Sequence, residues 1–136
     1  MLPGFDARGY LPAGIHAGEW HEFTQILGFN VERREMLLEL NSFLQRASHL
    51  GGLRVLIDGS FVTLKESPND IDLVLILPSD FDFSEQQVSE LYRVAEESRL
   101  HLFVALEGDV TELRRWSRFF GIDRDEIPRG IVELRL

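Results

Sequence analysis

The sequence predicts a single α/β domain of the α+β kind: a mixed sheet of about four strands, helices mostly on one face, and two leading helices. Three observations carry that expectation. Short apolar runs at about Arg54 to Ile57, Asp70 to Leu77, Leu100 to Leu106 and Gly130 to Leu136 have the length and composition of strands. Amphipathic stretches with apolar residues three and four apart precede and separate them. No repeat, low-complexity run or linker divides the 136 residues, and a 44% hydrophobic content is enough for one core.

Residues 1–16 form an irregular arm, because the start is rich in glycine and proline; Phe5, Tyr10 and Leu11 give it apolar surface to lay against the domain. His16 either ends a binding loop or bonds a nearby helix start. A short helix follows, with Trp20, Phe23, Ile26 and Leu27 on one face and Gly28 as its stop. A longer helix runs from about Val31 to Leu50 on a stripe of Leu37, Leu40, Phe43, Leu44 and Ala47, with Gly51-Gly52 ending it. Its opening residues Glu32, Arg33, Arg34 and Glu35 read as a solvated turn. After a turn at Pro78-Ser79-Asp80, Ser84 and Gln87 form a capping box. The helix they open turns Val88, Leu91, Tyr92 and Ala95 inward. A last helix begins near Asp109, carries Leu113, Trp116 and Phe120, and stops at Gly121. Its Arg114, Arg115 and Arg118 either steer a polyphosphate or an RNA backbone, or pair with acidic neighbours. The closing strand alternates Ile131, Glu133 and Arg135 with Val132, Leu134 and Leu136.

A net charge of −9 argues against a surface built to wrap nucleic acid, which needs clustered lysine and arginine, but leaves room for a small local contact. The absence of cysteine rules out disulfides and zinc–thiolate sites. No run approaches a membrane span and the start lacks the features of a signal peptide, so a cytoplasmic protein is expected.

The chemistry gathers between residues 55 and 77. An apolar strand runs into Asp58, a Gly59-Ser60 turn, a polar loop closed by Ser67-Pro68-Asn69, and a second strand opening with Asp70-Ile71-Asp72. A period of two puts both carboxylates on one face. Side by side they repel, and a hard divalent cation with oxygen ligands is the usual remedy. Magnesium typically shares such a site with substrate phosphates. Gly59 allows close backbone approach to those phosphates and Ser60 offers a hydroxyl. Asp58 is either a further metal ligand or a cap on local backbone amides.

Gly59-Ser60, nine intervening residues and Asp70-Ile71-Asp72 resemble the signature of the nucleotidyltransferase superfamily, in its minimal, polymerase-beta-like form. The likeness is closer still to a group of small bacterial proteins with an Asp-Gly-Ser-Phe-Val-Thr-x-Lys motif, here Asp58 to Lys65. That group also carries outer motifs, here Leu11-Pro12-Ala13-Gly14-Ile15-His16 and Pro128-Arg129-Gly130-Ile131, so the resemblance spans nearly the whole chain. It implies one nucleotidyltransferase-like domain over residues 1–136, with Gly59, Ser60 and Lys65 on the phosphates of a nucleoside triphosphate. Lys65 is otherwise a surface residue beside Glu66. Asp70 and Asp72 would hold Mg2+ or Mn2+. The superfamily's third carboxylate belongs near the start of the strand after the crossover helix, where this chain has His101; Glu107 lies at that strand's far end. If the strand runs parallel to the Asp-x-Asp strand, its start lies beside Asp70.

The resemblance therefore implies Asp70, Asp72 and His101 as catalytic residues of nucleotidyl transfer to a hydroxyl on tRNA or a protein. Small members of the superfamily often form one half of a toxin–antitoxin or phage-defence pair, which implies a partner protein from a neighbouring gene. The alternative is a degenerate fold kept as a nucleotide- or protein-binding module, which the histidine at 101 favours.

Overall fold

Every apolar run becomes a strand of one mixed sheet, and a fifth strand joins them out of the N-terminal arm. The structure, a computed structural model, describes residues 1–50, 54–79, 85–109 and 121–135. The Gly51-Gly52 stop, Ser84 of the capping box, and the stretch from 110 to 120 with Arg114, Arg115 and Arg118 lie outside them. The strands are β1 (Ile15–Glu19), β2 (Arg54–Asp58), β3 (Ile71–Leu77), β4 (Leu100–Leu106) and β5 (Ile131–Arg135). The helices are α1 (Trp20–Leu27), α2 (Val31–Ala47) and α3 (Glu85–Glu97). Across the sheet the order is β1-β5-β2-β3-β4. The outer pairs β1–β5 and β3–β4 are parallel, and β2 runs antiparallel to both of its neighbours.

Local signals set the helix ends. Asn30 caps α2, its side chain accepting from the Arg33 N–H at 2.8 Å. Gly28 ends α1, and a side chain there would meet the Thr24 carbonyl at 2.6 Å. Helix α2 gives way at Ser48 to a single 3-10 turn, Ser48–Leu50, three residues before the expected end. Phe23, Leu27, Met36, Leu40, Phe43 and Ala47 of the two leading helices are fully buried. Burial of each phenylalanine contributes about 2–3 kcal/mol.

Successive residues of each strand alternate between the two faces of the sheet. Val55, Ile57, Ile71, Leu73, Leu75, Leu100, Leu102, Val132 and Leu134 share the main core with α1, α2 and α3. Leu56, Val74, Ile76 and Ile131 form a second, smaller cluster with Phe103 on the opposite face.

Three expectations need correction. The arm ends at Gly14 rather than residue 16: Ile15–Glu19 is a strand, held by a parallel register from Ile15 on Ile131 to Glu19 on Arg135. The open edge of β5 supplies the ladder that so weak a strand sequence does not request on its own. Tyr92 is exposed rather than inward-facing, and its hydroxyl accepts from the Val104 N–H at 3.2 Å. Arg33 does not belong to a solvated turn. It is fully buried, and its guanidinium donates to the carbonyls of Leu27, Phe61, Thr63 and Lys65 at 2.6–3.0 Å.

That arginine fastens the loop that follows the Gly-Ser turn. The planar fork uses five N–H donors on four carbonyls, where a lysine has three donors, while Phe29 and Phe61 offer their ring faces at 4.3 and 4.7 Å. Burial lowers its pKa to about 10, still charged at neutral pH. Asn30 adds a hydrogen bond from its side-chain amide to the Glu66 carbonyl at 2.8 Å. The start of α2 is thereby stapled to residues 61–66. From the other side, Leu64 N–H donates to the Gly9 carbonyl and Tyr10 bridges to Thr63.

Candidate functional site

The parity that builds the two-faced sheet also decides where the acidic residues point. Asp58 has the parity of Leu56, Asp72 that of Val74, and His101 that of Phe103, so all three belong to the face away from α1–α3. Register aligns them. Asp58 pairs with Asp72 across the antiparallel β2–β3 ladder, and Asp72 with His101 across the parallel β3–β4 ladder. The result is a row across three neighbouring strands, at the end where β2 finishes and β3 and β4 begin. Strands are about 4.8 Å apart, so the row is a set of cross-strand neighbours.

Asp70 lies one residue before β3, half-buried, and still converges with the row. Ligand atoms of Asp70, Asp72 and His101 lie within 4.8 Å of one another. The His101 Nδ1 stands 3.0 Å from the Asp72 Oδ1. An ionised carboxylate only accepts, so Nδ1 carries the proton in that pairing; in the neutral imidazole Nε2 is then the acceptor. His101 is exposed, its ring tilted against that of Phe103 with centroids 4.5 Å apart. Its ladder partner is Asp72, and Asp70 lies within reach, so the start of β4 stands beside the Asp-x-Asp pair.

The Gly59-Ser60 turn is a short 3-10 helix, Gly59–Val62, that leaves β2 beside these carboxylates. Gly59 has φ +78°, and a Cβ built on it would stand 1.9 Å from the Asp72 Oδ2. Only glycine lets the turn adopt that backbone and the carboxylate lie against it. Ser60 is half-buried, and its carbonyl accepts from the Thr63 hydroxyl at 2.6 Å. Lys65 is exposed, while its carbonyl is one of those held by Arg33.

The electrostatics are those of an undercompensated acidic cluster. Burial raises the Asp72 pKa, and the Asp70 charge raises it further, against the pull of His101 and Arg129. Asp58 is 1% exposed, and neither of its oxygens has a hydrogen-bond partner among the described residues. Burial pushes its pKa up to about 7; the Gly59 N–H and the Arg129 charge pull the other way, the amide at a geometry short of a hydrogen bond. Arg129 is half-buried, and its Nε lacks a partner among the described residues. Glu107, the other candidate on β4, ion-pairs with Arg54 at 3.3 Å at the far end of the face and takes no part in the cluster.

The two outer motifs meet each other. Gly130 N–H donates to the Leu11 carbonyl, Ile131 N–H to the Gly14 carbonyl, and the His16 Nε2 to the Pro12 carbonyl at 2.6 Å. A side chain on Gly130 would meet the Pro12 carbonyl at 2.5 Å and the Leu11 Cβ at 2.7 Å. His16 thus serves β1 and the arm rather than a helix start. Tyr10 donates to the Asp123 carboxylate at 2.7 Å, with the Arg129 guanidinium 6.0 Å from its ring. The motifs that flank the chain in sequence together build the wall from which Arg129 faces the acidic row.

Comparison with known proteins bears on the whole of this architecture, because residues 3–135 match one family. The chain belongs to DUF6932, a family of unknown function. No curated protein and no solved structure matches it. The match takes in the Gly-Ser turn, the Asp-x-Asp strand, His101 and both outer motifs. Sequence reasoning gave Arg129 no role of its own and left Asp58 between two alternatives. The signal for Asp58 was a carboxylate directly after an apolar strand; for Arg129 it was a cation inside a glycine-bearing motif.

Proposed function

We propose that this chain is a metal-dependent nucleotidyltransferase, moving a nucleotide from a nucleoside triphosphate to a hydroxyl of a tRNA or protein acceptor. The observation that supports this reading is the convergence of Asp70, Asp72 and His101, within 4.8 Å, beside a glycine turn that admits no side chain. The donor set suits Mg2+ or Mn2+: two carboxylates and an imidazole, with an orphaned buried carboxylate beside them. Asp70 and Asp72 would hold the cation, which when bound would neutralise phosphate charge. Gly59 and Ser60 would receive the β and γ phosphates, with Lys65 in reach of their oxygens. His101, oriented by Asp72 through Nδ1, would accept the proton of the acceptor hydroxyl at Nε2. That hydroxyl oxygen would bond the α-phosphorus as pyrophosphate leaves. A cytoplasmic setting and a partner protein from a neighbouring gene, as in a toxin–antitoxin or phage-defence pair, complete the reading. Among the described residues no helix is long and apolar enough to cross a membrane.

A second reading, a degenerate module that binds nucleotide or protein without transfer, draws its support from the histidine on β4 where the resemblance implies a carboxylate. Two measurements separate them. Calorimetry should show Mn2+ and nucleoside triphosphate binding together more tightly than either alone; no binding at millimolar concentrations removes both readings. Transfer of labelled nucleotide to total tRNA or to the neighbouring gene's product should fall by roughly 10²–10⁴-fold in His101→Ala, with nucleotide binding kept. A parent protein that binds nucleotide and transfers none is the module.

A further inference from the structure

We infer that Asp58 is the third carboxylate of the Asp70–Asp72 cation site, a supporting group beside the ligands that comes from β2 rather than from β4. The inference rests on the metal-binding part of the proposed function and assigns it a residue from another strand.

Position comes first. Asp58 and Asp72 are direct cross-strand partners on the same face, and His101 flanks Asp72 on its other side. Asp72 therefore sits in the middle of the row, with a carboxylate on one side and an imidazole on the other. Burial comes second. Asp58 is 1% exposed with both oxygens unpartnered, an arrangement folded proteins rarely keep without an ion, a water or a catalytic use to offset it. The structural task open to an aspartate here is not being performed. Asp58 occupies the N-cap of the Gly59–Val62 turn, yet its side chain makes no capping hydrogen bond. Nor does a salt bridge answer its charge: Arg129 acts on it from a distance, and no ion pair within 4.0 Å involves Asp58 among the described residues. Among the described residues the ligand atoms within 4.8 Å of one another are those of Asp70, Asp72 and His101, so Asp58 stands beside the ligands, and a divalent cation on Asp72 would supply its missing countercharge. His101 is then free to serve as the proton acceptor rather than as a poor substitute for a carboxylate.

The experiment is Mn2+ binding to the full chain, followed by the electron spin resonance signal of the free ion and by calorimetry. The parent is compared with Asp58→Asn, which keeps shape and removes charge, and with Asp58→Ser should the amide fail to fold. Melting temperatures are taken in chelator. The expected result is Mn2+ affinity about tenfold or more weaker, the usual cost of losing a group that supports the ligands, with a melting temperature not below the parent's. A smaller change in affinity, or a loss accompanied by a lower melting temperature, overturns the inference and leaves the proposed function standing. A parent protein that binds no Mn2+ overturns both.

Discussion

Replacing Asp58 by asparagine perturbs one buried carboxylate whose pKa lies near 7 in the fold against 3.8 in an unstructured chain. The raised value fixes the sign. Below about pH 4 the group is protonated in both states and costs the fold nothing extra. Between about pH 4 and 7 the unfolded chain is ionised while the folded protein still holds the proton, so stability falls as pH rises, by about 1.4 kcal/mol per pH unit. Above pH 7 the loss levels off at about 4 kcal/mol at most, from a difference of roughly three pH units. Asparagine shares the orphaned polar cost of protonated aspartate but never ionises. The variant should therefore exceed the parent by only about 1 kcal/mol near pH 4.5 and by up to about 4 kcal/mol at pH 8, the latter about 10 °C in melting temperature for a chain of this size. Urea denaturation in chelator at both pH values, read as the difference between the two proteins, isolates this group from the other titrating residues. The reasoning is refuted if Asp58→Asn is less stable than the parent at pH 8, or if the difference does not change with pH. Either outcome would mean that the carboxylate is held by donors.

Two further changes test the frame around the site. Arg33→Leu strips hydrogen bonds from the carbonyls of Phe61, Thr63 and Lys65 and should cost at least about 3 kcal/mol by chemical denaturation, since each orphaned buried carbonyl costs about 1–3 kcal/mol; a loss under 1 kcal/mol would show that the loop does not depend on this arginine. Gly59→Ala forces a methyl group against the Asp72 carboxylate and strains a backbone at φ +78°. It should weaken Mn2+ binding by about tenfold or more and cost about 1–3 kcal/mol of stability; unchanged affinity would take the Gly-Ser turn out of the site.

What the sequence determined by itself was whatever depends on neighbours a few residues away. Gly28 and Asn30 bound the leading helices through local backbone chemistry, and strand alternation sorted the residues of β2, β3 and β5 between two faces. The spacing of Asp70 and Asp72 put two carboxylates together before any fold was known, and the helical crossover after β3 predicted a parallel β4. Only the tertiary structure decided the rest. Ile15–Glu19 is a strand because β5 offers an open edge more than a hundred residues later in the chain. Arg33 is polar by every local rule; it is buried because a loop 28 to 32 residues downstream presents four of its backbone carbonyl contacts to it. Asp58 stood between metal ligand and turn cap; register set it opposite Asp72, and its side chain makes no capping hydrogen bond. Periodicity and capping act within a few residues of chain, whereas hydrogen-bond satisfaction and charge compensation are set by whatever the fold brings alongside.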